Sequence, residues 1–576
     1  MLRHGLLRAP LFLTQGTFDA THEKLAFVDA KIEMLDASMT GGGVVENWDK
    51  PPLRVNAMGS GVAGGRMMEW ARRRMEIPAD FMLRTPLEFS SAQAVWRADD
   101  DYSFEGRVTV AKGPEFSIDM ERNLQSLTIK ELSIDAGAAS ARTTFELDKD
   151  KWSLAFSGTL NQPMLDRVFL TPPVRIGLLQ GDFAVNAFNE SPFHLSARGT
   201  LAATDLALSP KGEDAVIERI VVQADGIGLN IRSSDLRWRR SHISLSGRLA
   251  AAQQALQVDM DVAADHLGWE EFSELTSPGV RQKEPSGAKF ILPALEGAIR
   301  LQADRFTFGA FSWKPLRVTA LLTANGITAE VKDSVVCGIR TAGRFATRKD
   351  DRIDLDVTLS VRDGELDATS RCLSSESSNV SGTYNLDAHV TGGGNRDRLA
   401  PTLTNEFAFV ARDGKFVRSA SLDATFDYLN DTGDFNVAFP DLNKEAFPYR
   451  FISVKGTGKG QSIFATEIII EASPYAITAQ GSADLERKML DGKGLVTVLL
   501  PGSKLLKRTP FVGSILSGSM IGIPIEVTGP FEQPRVSYLS PAALGAEIIC
   551  LPARILKVPW EALQIFTPVE TGPEKN

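Results

Sequence analysis

The run Gly59-Ser60-Gly61-Val62-Ala63-Gly64 is the sharpest chemical spacing in this chain, a formal G-x-G-x-x-G behind the strand-like Leu53 to Met58. In a dinucleotide site such glycines allow a tight turn and let a pyrophosphate approach a helix amino terminus. Here the preceding strand alternates instead of being apolar on both faces, and no βαβ succession follows. The run is therefore expected to be a glycine-rich turn from strand to helix. The six histidines, His4, His22, His194, His242, His266 and His389, stand singly, without H-x-H or H-E-x-x-H spacing. They read as isolated solvated side chains rather than as metal ligands or general bases. Asp413-Gly414-Lys415 and Asp491-Gly492-Lys493 lack the rest of a phosphate-binding loop and read as hairpin turns. Cys337, Cys372 and Cys550 have neither the number nor the spacing of a disulfide framework or a zinc site. A Cys337 to Cys372 bridge between neighbouring strands is open in an oxidising compartment, but free thiols are the expectation. No catalytic set, metal site or cofactor is expected, so the chain reads as a non-enzyme.

Composition narrows the classes further. The chain has 576 residues, 43% hydrophobic and 23% charged, which is ordinary for a folded protein. A net charge of -9 without a basic stripe speaks against a nucleic-acid partner. The opening MLRHGLLRAPLFLTQG holds a short apolar stretch broken by Arg8 and Pro10, too short to span a bilayer and too interrupted for a signal peptide. The sequence reads either as cytosolic or as a truncated form that begins inside a longer protein.

The elements that would position any site share one pattern. In Trp152 to Leu160 (WSLAFSGTL), Phe193 to Leu201 (FHLSARGTL), His242 to Leu249 (HISLSGRL) and Tyr475 to Leu485 (YAITAQGSADL), apolar and polar residues alternate. Period two means β-strand, with successive side chains on opposite faces. Gly106, Gly158, Gly199, Gly247, Gly297, Gly343, Gly382, Gly481 and Gly529 fall on the apolar face, where a missing side chain lets a strand bend. The fold class expected is mainly β: one long curled antiparallel sheet forming an elongated repeating β-groove, with a few short helices. Its inner face is expected to carry Phe104, Val108, Phe156, Leu195, Leu245, Leu249, Ile299, Leu301, Ile339, Phe345, Val454 and Ile477. A sandwich core is the competing reading of that face. The many small residues on it, and an alternation that runs for several hundred residues, favour a groove.

Along the chain, residues 1–61 read as partial amino-terminal groove repeats. Residues 62–84 carry Met67, Met68, Ala71 and Met75 at helical spacing and read as a linker helix. Residues 85–269 are central repeats, 270–290 a linker rich in Pro, Gly and charge, and 291–540 a further groove region. Residues 541–567 read as short apolar helices, resting on a membrane interface or plugging the last strands. Residues 568–576 read as a disordered tail.

Leu295 to Phe345, Leu386 to Phe416 and Pro510 to Pro534 resemble the AsmA-like family. That family includes AsmA, YhdP and TamB and is similar to the bridge-like lipid transfer proteins of eukaryotes. The resemblance covers about 290–545 well and the preceding region more weakly. It implies a repeating β-groove that carries phospholipid between bacterial inner and outer membranes, a periplasmic and inner-membrane-associated location, and an inner-membrane protein as a possible partner. The chain departs from the family in having no evident signal or amino-terminal membrane helix. The alternative function is a structural scaffold or outer-membrane assembly factor built on a β-sandwich or solenoid core.

Overall fold

The computed structural model describes residues 11–540 apart from 48–53, 75–81, 99–100, 138, 173, 189–193, 208–214, 253–254, 271–293, 351, 375–378, 396–397, 417–419, 433–445, 473–474 and 500–519. The expected linker at 270–290, apart from its first residue, the carboxy-terminal helices at 541–567 and the tail at 568–576 lie outside the described residues. Two compact units divide the chain, residues 1–307 with 319–324, and residues 308–318 with 325–576. The fold is mainly β: 29 strands belong to a single sheet that does not close into a barrel.

The first unit opens with β1 (Leu11–Ala20), β2 (Lys24–Met34), β3 (Ala37–Glu46), β4 (Arg54–Ala63), β5 (Leu87–Ala98) and β6 (Asp101–Val110). It continues through β7 (Glu115–Arg122), β8 (Leu127–Asp135), β9 (Ser140–Leu147), β10 (Lys151–Asn161), β11 (Leu178–Phe188) and β12 (His194–Ala207). Then come β13 (Ala215–Ala224), β14 (Gly228–Trp238), β15 (Ser241–Ala252), β16 (Ala255–Gly268) and β17 (Ala294–Phe308). Strand β18 (Phe311–Thr323) contributes to both units. The second unit holds β19 (Gly326–Val336), β20 (Ile339–Arg348), β21 (Arg352–Glu365), β22 (Val380–Asn395), β23 (Thr404–Phe416) and β24 (Phe447–Lys459). It ends with β25 (Ser462–Ala472), β26 (Tyr475–Asp484), β27 (Met489–Leu499), β28 (Met520–Pro530) and β29 (Arg535–Tyr538).

Successive strands from β1 to β16, and from β19 to β29, pair antiparallel as a meander. One pair departs from the expected antiparallel sheet: β16 and β17 run parallel, Ala255 beside Ala294 through Gly268 beside Thr307. A parallel neighbour needs a crossover. Residues 269–293 supply the chain for it, long enough at about 3.3 Å per residue to return along a strand.

Alternation becomes burial as expected. On β6, Tyr102, Gly106, Val108 and Val110 are buried while Glu105 and Arg107 are exposed. The opposite face carries cross-strand ion pairs such as Arg300 with Asp259 (2.6 Å) and Asp261 (2.5 Å), or Arg348 with Asp354 (2.9 Å). These are exposed and contribute little stability, but they keep that face in water.

Glycine acts partly as expected and partly otherwise. At Gly199 φ is +89°, and a Cβ there would strike the Asp182 carbonyl oxygen of β11. At Gly247 φ is +143°, and a Cβ would meet the Met260 Sδ at 2.9 Å. The missing side chain thus lets the strand bend, but neighbouring backbone and Met260 occupy the space, so glycine does not widen the face. Aspartates share the bending: Asp29, Asp205, Asp363 and Asp413 take left-handed φ near +50°, a conformation their short polar side chains tolerate.

Helices are short: α1 (Gly65–Arg74), α2 (Gln162–Val168), α3 (Leu366–Ser374), α4 (Leu399–Thr402) and α5 (Ala420–Thr432). The expected helix of 62–84 begins only at Gly65, because Val62 and Ala63 complete β4. In the second unit α3 and α5 follow β21 and β23, two strands of one direction, so both helices sit at the same edge of the sheet.

Candidate functional site

The formal G-x-G-x-x-G does not form the expected turn. Gly59 and Gly61 lie inside β4, opposite Gly41 and Met39 of β3. At the amino terminus of α1, where a phosphate would sit, the Asp36 carboxylate already accepts the Arg66 (2.8 Å) and Met67 (2.7 Å) backbone N–H groups. A second anion there would meet that charge, so the nucleotide reading fails physically. Asp413-Gly414-Lys415 and Asp491-Gly492-Lys493, expected as hairpin turns, lie within β23 and β27.

Histidines are not all isolated as expected: His242 Nδ1 lies 3.3 Å from Asp265 Oδ2, and His389 Nε2 lies 2.7 Å from Asp356 Oδ1. Burial pushes the Asp265 carboxyl up, but the His242 and His266 backbone donors and the His242 ring outweigh it and hold that carboxyl below its usual range. Both pairs join exposed side chains of adjacent strands. Among the described residues no group of three or more His, Cys, Asp or Glu side chains converges as a metal site.

What the strands do assemble is an apolar face. In the first unit, register places Ala141, Gly158, Gly181, Leu201, Val222, Ile231, Gly247, Met260 and Ile299 opposite one another in turn, from β9 to β17. Every member of this nine-strand row is apolar or glycine. Beside it run Leu229, Leu249, Val258 and Gly297, and on the other side Ser234, Leu245, Val262 and Leu301. Leu245, Leu249, Ile299 and Leu301 are only half-buried. Ser234, almost fully buried, is the polar interruption in those rows. The sequence reading named Leu245, Leu249, Ile299 and Leu301 as groove residues and Gly158, Gly247 and Gly297 as bend glycines, but missed the other members of these rows, among them Gly181, Val222, Ile231 and Met260. Met260 was legible, since Asp259 and Asp261 frame it as the inward member of an alternating run.

The remaining expected groove residues divide into clusters. Phe104, Val108 and Phe156 pack with Leu87, Val110 and Phe116, and with Met164 and Val168 of α2. The Asn161 side chain caps α2 by accepting the Met164 N–H at 3.0 Å, and Pro163 stands in its first turn. Leu195 joins Phe183, Val185 and Ala197. In the second unit, Ile477 lies between Ile470 and Val496, and Val454 between Phe409 and Ile468. That face is covered by α5: Phe426 and Leu429 are essentially fully buried, and the Phe426 ring lies 5.2 Å from Phe447 and 6.1 Å from Tyr475. Ile339 packs at the margin of this cluster, and Phe345 lies between Ala329 and Leu355. Of the twelve expected residues, Val108, Phe156 and Ile477 are buried and the other nine are half-buried. The bend glycines share these rows: Gly106 faces Ile118, Gly343 faces Val357, Gly481 faces Ala465 and Gly529 faces Leu490. Gly382 lies against the Tyr449 hydroxyl.

The expectation of free thiols is overturned. Cys337 and Cys372 form a disulfide, with Cα atoms 5.4 Å apart. It joins the β19–β20 turn to α3 rather than two strands. Thr369 adds a hydrogen bond to the Cys337 carbonyl (3.0 Å) and accepts one from the Tyr384 hydroxyl (2.9 Å). No helix among the described residues is long and apolar enough to cross a membrane.

Comparison with protein-family models finds no matching family, and comparison with curated proteins finds no match.

Proposed function

We propose that the chain is a non-enzymatic lipid-binding protein that carries phospholipid acyl chains along the apolar face of its sheet, between bacterial inner and outer membranes. The observation that carries this reading is the nine-strand row from Ala141 to Ile299, flanked by the half-buried Leu245, Leu249 and Leu301. Exposing an acyl tail to water costs about 0.8 kcal/mol per methylene, on the order of 12 kcal/mol for sixteen carbons. A row that presents an apolar residue or glycine, and no polar side chain, at each of nine successive strands offsets much of that cost along its length, so a tail slides without meeting a polar group. The charged opposite face keeps its own solvation, and head groups stay in water. The Cys337–Cys372 disulfide supports an oxidising compartment such as the periplasm. An inner-membrane protein is the natural loading partner for such a carrier.

A scaffold or outer-membrane assembly factor is the second reading, favoured by α5, whose Phe426 and Leu429 make the second unit's face a closed core. Mild detergent extraction followed by native mass spectrometry and lipid analysis separates the two. The carrier binds more than one phospholipid per chain; preparations that contain none, and that take up none from vesicles, leave the scaffold.

A further inference from the structure

The apolar row from Ala141 to Ile299 does not begin at Ala141. Register carries it back through Ile134, Phe116 and Val108 to Phe89, and then through Gly61 and Met39 to Ile32 on β2, with no polar residue on the way. Burial along this line is uneven. Ile32, Met39, Gly61 and Phe89 are half-buried, and Val108, Phe116, Ile134 and Ala141 are buried. Beyond them Gly158 is exposed and Leu201 half-buried. The sealed stretch is where α2 packs: Met164 and Val168 share one cluster with those four buried residues, joined by Leu83 and Phe169.

The polar anchors of α2 lie at its ends and along the segment beside it. Past its last turn, Phe169 lies opposite Leu83 as an isolated antiparallel pair. The Arg84 N–H donates to the Val168 carbonyl and the Leu170 N–H to the Met82 carbonyl, each at 2.8 Å. Arg84 Nε donates to the Asp166 carbonyl at 2.7 Å, and at the other end Gln162 Oε1 accepts the Ile176 N–H at 3.0 Å. The side chains that α2 buries, Met164, Leu165 and Val168, are all apolar. An acyl tail offers the row the same kind of surface, so exchanging one for the other changes apolar burial little.

We propose that α2 is a gate across the first unit's groove, closed in this structure and displaced by an arriving acyl tail. The gate rests on the carrier function proposed above, since without a moving tail nothing displaces the helix. Tails then occupy the half-buried stretches on either side of α2 and pass between them only while its clasp to residues 82–84 is open. The tail shifts the equilibrium because it competes for the row with Met164 and Val168.

Locking the clasp in the full chain tests this. Leu83 and Phe169 form a non-hydrogen-bonded antiparallel pair, whose Cα separation of about 4.5 Å suits a disulfide. Leu83→Cys combined with Phe169→Cys should therefore form one, verified by peptide mass mapping. Transfer of a fluorescent phosphatidylethanolamine is followed between vesicles of phosphatidylethanolamine and phosphatidylglycerol. In the oxidised double variant transfer should fall at least tenfold, while native mass spectrometry still finds phospholipid bound. Under reductant it should return to the rate of the equally reduced wild type. Asn161→Ala, which removes the cap of α2 without a cross-link, should raise transfer about fivefold. An oxidised variant that transfers at the wild-type rate, or that loses its bound phospholipid as well, overturns the gate and leaves the carrier standing. A wild type that neither binds nor transfers phospholipid removes both. If the double substitution fails to fold, Asn161→Ala decides alone, and a rate no higher than the wild type's overturns the gate.

Discussion

Leu301 on β17 and Leu245 on β15 lie on either side of Val262, and both are half-buried. A carboxylate at either position would keep partial access to water, so it avoids the full penalty of an unpaired buried charge. Leu245→Glu and Leu301→Glu are expected to cost about 1–2 kcal/mol of stability, part of the value of a fully buried leucine. Transfer of a fluorescent phospholipid between vesicles should fall at least tenfold, because each charge faces the passing tails. If either variant unfolds instead, the side chain belongs to a packed core and the carrier reading loses its main support. These two leucines were legible from alternation alone, since His242 to Leu249 and Leu295 to Leu301 put them in phase with Gly247 and Gly297. Their degree of burial was not legible, because alternation assigns a face and says nothing about what covers it. Val108 and Phe156 show the difference: the same pattern led to residues sealed beneath α2.

Helices are where the alternation misled. The segment from Ala420 carries Leu422, Phe426 and Leu429 at spacings of four and three, a helical stripe inside a region read wholly as strand. Asn161-Gln162-Pro163 likewise holds a capping residue and an early proline in front of α2. Both signals are short, and each is set beside strands whose period of two dominates any longer window. The disulfide escaped for a related reason, since Cys372 became a neighbour of Cys337 only once residues 366–374 folded as α3. At α5 a sharp outcome follows. Phe426 touches Phe447 and Tyr475 and leaves no exposed surface, so Phe426→Ala should destabilise the second unit by about 3–5 kcal/mol. Hydrogen exchange should then accelerate in β24 and β26 while β6 and β10 keep their protection. A loss below about 1 kcal/mol would mean that α5 rests on the sheet without being part of its core.

At the scale of the whole molecule, the single open sheet was legible because one pattern recurs along the chain, and a meander follows when each strand can pair with the next. The parallel β16–β17 step was not legible, because pairing across residues 269–293 is decided by where the chain returns and not by local period. The chain also divides its chemistry, and pH exposes this. The second unit's core holds Tyr384, Tyr449 and Tyr475, whose hydroxyls are all pushed above their ordinary range, first of all by burial. For Tyr449, burial and the nearby Asp413 carboxylate raise it to about 12, and its hydroxyl donates to the Ser381 carbonyl at 2.5 Å. An unfolded tyrosine loses its proton near pH ~10. Below that pH both states hold the proton and stability is complete. Above it the unfolded chain releases protons that the native chain retains, so stability falls with rising pH until the native hydroxyls ionise as well. Melting temperature should thus be flat through neutral pH and decline from about pH 10 toward 12, with tyrosinate absorbance rising together with loss of β-sheet signal. Tyr449→Phe removes one of the linked protons and should flatten the decline, although it starts from a lower melting temperature for want of the Ser381 hydrogen bond. An unaltered slope in that variant would show that the alkaline transition is driven from elsewhere in the sheet.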